Sequence, residues 1–181
     1  MTINTIIEGC RRKKPRCQRE LVVRFSPGLL TVARRYAPDN AMAQDILQDS
    51  LVRILERIEQ YAGTGSFEGW MRRVVISTAL KQLDRKWMRR EISVSDQKDN
   101  RSVAPVALDA LAVEDILACV LELPDGYRQV FNLYAVEGYA HREIAQMIGC
   151  SESNSRSQYT RARQALQTIL AQRKIVVRHA E

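Results

Sequence analysis

The residues that usually carry metal, redox or covalent chemistry are scarce in this chain. Cysteine occurs four times and histidine twice in 181 residues. Cys10, Cys17, Cys119 and Cys150 form no C-x-x-C pair, and only His141 and His179 could add imidazole. That spacing argues against a metal site and leaves the thiols as small, idle side chains. No nucleophile motif and no glycine-rich phosphate loop is present, so an enzyme is disfavoured, and neither a cofactor nor a small-molecule substrate is expected. No apolar run approaches the roughly 18 residues of a membrane span. The N-terminus lacks the apolar core of a signal peptide and turns basic by Arg11, so direct membrane insertion is not expected and a cytoplasmic placement is. Glycine (8) and proline (5) are few, and alternating runs of the β type are few as well. Both absences favour an all-α fold.

What remains is an ordinary globular composition, 45% hydrophobic and 27% charged, with a basic balance. The net charge is +7. Its distribution says more than its total. Residues 1–38 carry +7, 39–60 carry −3, 61–91 carry +4, 92–110 carry −1, 111–150 carry −4 and 151–181 carry +4. Basic blocks alternate with acidic ones, which suits a polyanion at some surfaces and a protein partner at others.

Helical periodicity organises most of the chain. Residues 2–37 carry apolar positions at helical spacing, among them Leu21, Phe25, Leu29, Leu30, Ala33 and Tyr36, with Pro27-Gly28 expected to interrupt them. Pro38-Asp39-Asn40 is a breaker and cap cluster. Leu47, Leu51, Ile54, Leu55 and Ile58 then predict one buried face of a helix, with Asp45, Gln48, Asp49, Arg53 and Glu56 opposite. A Gly-Thr-Gly loop at 62–66 precedes a third helix from about Phe67 to Arg89. Its apolar positions are Phe67, Trp70, Met71, Val74, Ala79 and Leu83, and its far end is basic. Trp70 reads first as a core residue. Periodicity lapses over 92–110, a polar linker, and resumes from Val113.

Residues 123–163 have the layout of a helix-turn-helix. Ile144, Ala145 and Ile148 form the inner face of one short helix. Gly149 permits the left-handed backbone that ends it, and Ser151 can cap the next. On that next helix Tyr159, Ala162, Leu166 and Ile169 face inward. Asn154, Ser157, Gln158 and Arg161 line another face, with Arg156 and Arg163 flanking it. Such side chains reach base edges and phosphates. A stand-alone helix-turn-helix regulator with an unrelated N-terminal domain would use the same device. The acidic-then-basic helix pair upstream argues against it.

These residues resemble region 4 of the extracytoplasmic-function (ECF) sigma factors. Leu123-Pro124 opens a helix, Glu137-Gly138 precedes the turn unit, Glu143-Ile144-Ala145 lies in its first helix, and Arg161-Ala162-Arg163 closes the third, as in that family. The N-terminal half is similar independently. Asp45-Ile46-Leu47-Gln48-Asp49 resembles the family's D-x-x-Q-E signature, and 67–74 its F-x-x-W-L-x-R-I stretch. The resemblance implies an all-α chain of two small helical domains joined by a flexible linker. These are a region 2 bundle over 1–91, a linker over 92–110, a region 4 helix-turn-helix over 111–173 and a basic tail over 174–181. It implies that Asp45, Gln48 and Asp49 bind core RNA polymerase, whose largest-subunit coiled coil and flap are the expected contacts. It implies that Arg72, Arg73, Ser77, Lys81, Arg85 and Lys86 meet −10 promoter DNA. Ser153, Asn154, Arg156, Ser157, Gln158, Arg161 and Arg163 would meet −35 DNA. It further implies a cognate anti-sigma factor. Departures from the family pattern are Ala140 in place of a capping Ser, Ser77 in place of Asn, and the run from Ser153 to Gln158. The run Arg11-Arg12-Lys13-Lys14 is more basic than the family pattern explains.

Overall fold

The computed structural model describes residues 1–92 and 113–173, with side chains over 1–84 and 116–173, and every described element is helical. The expected linker falls almost wholly, and the basic tail wholly, outside those residues. The chain divides into two compact units, Met1–Lys86 and Trp87–Glu181.

The first unit is built from α1 (Ile3–Arg11), α2 (Pro15–Tyr36), α3 (Asn40–Glu56) and α4 (Phe67–Ile92). Thr2 caps α1 by accepting the Thr5 N–H at 3.2 Å. A three-residue corner follows, and Pro15 sits at the start of α2, where its missing N–H costs nothing. α1 and α2 approach closely at Gly9, where an added Cβ would lie 2.1 Å from Cys17 Sγ. Burial and the neighbouring Cys17 push the Cys10 thiol up to about 11. Ile6, Leu21, Leu29, Tyr36, Ile46, Ile54, Ile58, Met71 and Ile76 are fully buried and form the core.

Two expectations need correction. α2 runs unbroken through Pro27 and Gly28. Both are exposed, and Val23, four residues before Pro27, is 69% exposed. Water is therefore at hand for the carbonyl that Pro27 cannot bond, which is where a helix tolerates proline best. On α3 the buried line is Ala43, Ile46, Ser50 and Ile54, while Leu47, Leu51 and Leu55 are half-buried. Ala43 and Ser50 are small enough to sit at the closest approach, and the Ser50 hydroxyl is satisfied by the Ile46 carbonyl at 2.6 Å. The bulky leucines are turned to the flank. The Asp39 cap is as expected, accepting the Met42 N–H at 2.7 Å.

The second unit comprises α5 (Val113–Leu121), α6 (Asp125–Phe131), α7 (His141–Ile148) and α8 (Glu152–Gln172). One wide turn of π type, Asn132–Val136, extends α6. Cys119, Val120 and Leu123 pack on Ala162, Leu166 and Leu170, flanked by Tyr127, Phe131 and Ile169. Arg128, only 3% exposed, pins the α5–α6 corner. Its guanidinium donates to the Leu121 carbonyl at 2.8 Å and to Asp125 Oδ1 at 2.5 Å. Arg173 at the end of α8 pairs with Glu122 at the end of α5.

Candidate nucleic-acid interface

The turn between α7 and α8 follows from local chemistry. Gly149 adopts φ +69° and its N–H closes on the Ala145 carbonyl. Ser151 Oγ accepts the Asn154 N–H at 3.1 Å and so satisfies one of the donors left free at the start of α8. Ala140 offers no capping side chain to α7. The reverse half of the arrangement survives, because Glu143 accepts the Ala140 N–H at 2.8 Å.

α8 presents Ser153, Asn154, Ser157 and Arg161 together on its exposed side, with Arg156 and Arg163 on an adjacent exposed flank. Arg156 is held by Glu152 at 2.6 Å, a pair exposed on both sides and hence easily exchanged for a phosphate. Gln158 sits apart from them. It is half-buried, donates to Asn154 Oδ1 at 3.3 Å, and its Oε1 lies 3.5 Å from where a Cβ on Gly126 would be.

One residue of this face escaped the sequence reading. His141, considered there only as a metal ligand, joins the two helices of the turn. Its Nδ1 is 3.0 Å from the hydroxyl of buried Ser155, and its ring stacks on Tyr134 at 4.3 Å and leans on Tyr159 at 5.9 Å. No local signal reveals this, because the partners Tyr134, Ser155 and Tyr159 lie 7, 14 and 18 residues away, on other elements. Burial, and secondarily Arg156, hold the His141 pKa below its usual 6.5, with Glu152 opposing. The fold thus favours the neutral ring. Its contribution to stability is complete above about pH 6.5 and is lost as pH falls towards the lower folded value. The wild-type melting temperature should drop more steeply between about pH 7 and pH 5.5 than that of His141→Asn, whose amide replaces Nδ1 but does not titrate. Equal slopes in paired thermal melts would refute this role.

In the first unit, Asp45, Gln48 and Asp49 are all exposed on α3. They are bordered by half-buried Leu47, Leu51 and Leu55 and by Val52, which is 56% exposed. Asp49 is fixed rather than free, accepting from Gln82 Nε2 of α4 at 2.7 Å. On α4, Arg73, Ser77 and Lys81 recur at helical spacing on exposed positions, and Arg72 is half-buried. Ser77 Oγ turns back to the Val74 carbonyl at 3.0 Å. Arg85 and Lys86 lie on the same helix, but their side chains fall outside the described residues.

The loop before α4 is shaped by two glycines at positive φ, Gly63 (+79°) and Gly65 (+76°). Tyr61 spans it, donating its hydroxyl to the Gly65 carbonyl at 2.8 Å. Ser66 accepts the Gly69 N–H at 3.0 Å and starts α4. Beneath the loop, Phe67 stacks on Trp70 at 5.7 Å and meets Tyr61 and Phe25 edge-on at 5.1 and 5.9 Å. Trp70 is half-buried in this cluster, consistent with a packing role.

Comparison with known proteins adds three findings. The family model described as Sigma-70 region 2 matches residues 21–89, and that described as Sigma-70, region 4 matches residues 113–166. Among curated proteins, the chain is 22% identical to the ECF RNA polymerase sigma-E factor of Salmonella typhimurium, covering 92% of this chain and 93% of that one. It is 26% identical to the ECF RNA polymerase sigma factor SigE of Mycolicibacterium smegmatis, covering 84% of this chain but 61% of that protein. Among solved structures, the fold is similar to that of the sigma factor RpoE of Bartonella quintana, determined with the anti-sigma factor NepR. The TM-score is 0.57 at 18% identity, over 84% of this chain and 96% of that one.

Proposed function

Because this chain belongs to the ECF group of the sigma-70 family, we propose that it acts as an initiation factor that brings core RNA polymerase to promoters and helps open them. The observation that carries this reading is the order of surfaces along one chain. An exposed acidic helix is followed by a basic one in the first unit, and a capped helix-turn-helix follows in the second. Region 2 and region 4 matches fall on those two units in the same order.

In this reading residues 1–91 bind polymerase through Asp45, Gln48 and Asp49. The same domain meets −10 DNA through Arg72, Arg73, Ser77, Lys81, Arg85 and Lys86. Residues 111–173 meet −35 DNA through the exposed side of α8, from Ser153 to Arg163. The two are connected by 92–110 and followed by a basic tail at 174–181. The factor performs no chemical step of its own and works in the cytoplasm. No described helix is long and apolar enough to cross a membrane. An anti-sigma factor that covers these surfaces holds the protein inactive, in line with the company its structural neighbour keeps.

The test is run-off transcription on genomic fragments with core polymerase, with and without the protein. Promoter-specific transcripts are expected only when both are present. Tight operator binding without polymerase, and no new transcript with it, would favour the stand-alone regulator instead. No observation supports that alternative, since it leaves the region 2 match unexplained.

A further inference from the structure

The corner between α1 and α2 holds a concentration of charge that the reading above does not use. Between residues 9 and 19 there are six Lys or Arg and no acid. One of the six has an evident structural task. Arg11 is half-buried, pairs with Glu8 at 2.8 Å and donates to the Tyr61 carbonyl at 2.7 Å. The other five, Arg12, Lys13, Lys14, Arg16 and Arg19, are exposed and take part in no ion pair among the described residues.

The corner that presents them is firmly built. Lys13 N–H bonds the Cys10 carbonyl and Lys14 N–H the Gly9 carbonyl, both at 2.9 Å. Lys13 occupies φ +54°, the left-handed region where glycine is the usual choice. Five like charges on this corner and the start of α2 repel one another. Arg12 and Lys13 are eased by the C-terminal end of α1, but Lys14 and Arg16 crowd the N-terminal end of α2, where cations are disfavoured. An external polyanion is therefore what their arrangement suits. Their location narrows the choice. Arg11 ties the corner to Tyr61, and Tyr61 in turn closes on Gly65, so the basic corner abuts the loop that leads into α4.

We propose that Arg12, Lys13, Lys14 and Arg16 form a phosphate-binding extension of the −10 surface. It would hold the backbone of the DNA strand that passes the 61–66 loop, without reading its bases. This rests on the assignment of α4 and its loop to −10 DNA. Point charges on flexible stems, with no apolar companion at 12–16 except Pro15, suit backbone tracking rather than a packed protein interface. Held phosphates next to the loop would keep the opened strand from re-pairing.

The experiment uses the full chain and a labelled single-stranded DNA of mixed sequence, roughly 25 nucleotides long, titrated over a series of salt concentrations. Arg12→Gln, Lys14→Gln and Arg16→Gln are combined in one variant, and Arg73→Gln with Lys81→Gln in another. Each phosphate contact on a single strand contributes about 0.7 to the slope of log affinity against log salt. The corner variant should therefore lose about 2 from that slope and bind at least about tenfold more weakly at 0.1 M salt. A charge-keeping version with Arg12→Lys, Lys14→Arg and Arg16→Lys should retain wild-type binding, which guards against a folding artefact.

An unchanged slope in the corner variant, with loss in the Arg73/Lys81 variant, would overturn the corner proposal and leave the −10 assignment standing. Loss in the corner variant alone would keep a phosphate-binding corner but overturn its place as an extension of the −10 surface, along with the α4 assignment. An unchanged slope with weakened binding to core polymerase, or to vesicles of anionic lipid, would overturn the proposal in favour of those partners.

Discussion

Replacing both Asp45 and Asp49 with Lys is expected to weaken binding to core RNA polymerase about tenfold to hundredfold at 0.1 M salt. The argument is electrostatic. An exposed ion pair is worth about 0.2–1 kcal/mol, and reversing a charge converts that attraction into repulsion of similar size. Two reversals then span about 0.8–4 kcal/mol, with the middle of that range giving the expected loss, felt mainly in the association rate and fading as salt rises. The structure adds a complication and its remedy. Asp49 also accepts a hydrogen bond from Gln82, so its reversal disturbs the α3–α4 packing as well as the surface. Asp49→Asn keeps an acceptor for Gln82 while removing the charge, and it should give the smaller, purely electrostatic part of the loss. Binding is measured by competition for core polymerase. Unaltered affinity for core in the double reversal would remove α3 as the polymerase face.

Arg128→Met is expected to destabilise the second unit by about 2–3 kcal/mol. Methionine replaces the stem of the side chain and isolates the polar loss. That loss includes two hydrogen bonds from a guanidinium at a buried site, one to a backbone carbonyl and one to a carboxylate. Bonds to charged groups are worth about 1.5–3 kcal/mol, and the Leu121 carbonyl, on a residue 37% exposed, can turn partly to water. Asp125, whose side chain is 31% exposed, can regain water, which keeps the total below the sum of the two. For a unit of this size each kcal/mol moves the melting temperature about 4–8 °C, so a fall of about 10–20 °C is expected in calorimetry of the full chain. Arg128→Lys reaches one partner but not both and should fall between. A shift under about 3 °C for the Met variant would mean that the corner is held by packing alone.

What could be read from sequence was whatever is decided within a few residues. Asp39, Gly149 and Ser151 were legible as caps because each satisfies its own neighbours' backbone, and the structure has all three in those roles. The order of acidic and basic helices was legible from charge blocks. The errors have one origin, weighting side-chain bulk or rigidity over tertiary setting. The leucines of α3 dominate its pattern, so Leu47, Leu51 and Leu55 stand in the expected buried line where Ala43, Ile46 and Ser50 belong, whereas Ile54 and Ile58 are buried as expected. Pro27 was read as a break because its solvent-facing position cannot be seen in the sequence. The real interruption, at Arg12–Lys14, was hidden by helix-compatible residues, although Pro15 is a fair start signal. On α8 the exposed side follows from periodicity, whereas the inward lean of Gln158 towards Gly126 depends on how α6 packs on α8, and the His141–Ser155 link on how α7 does.

The distribution of the cysteines has a practical consequence. Cys10, Cys17 and Cys119 are buried, whereas Cys150 is half-exposed in the turn between α7 and α8. A maleimide fluorophore applied to the unmodified folded chain will select Cys150. The dye then stands beside the α8 face proposed above to meet −35 DNA, and its anisotropy and quenching would report docking there without any engineered residue. The protein thus supplies its own spectroscopic handle in the turn between α7 and α8.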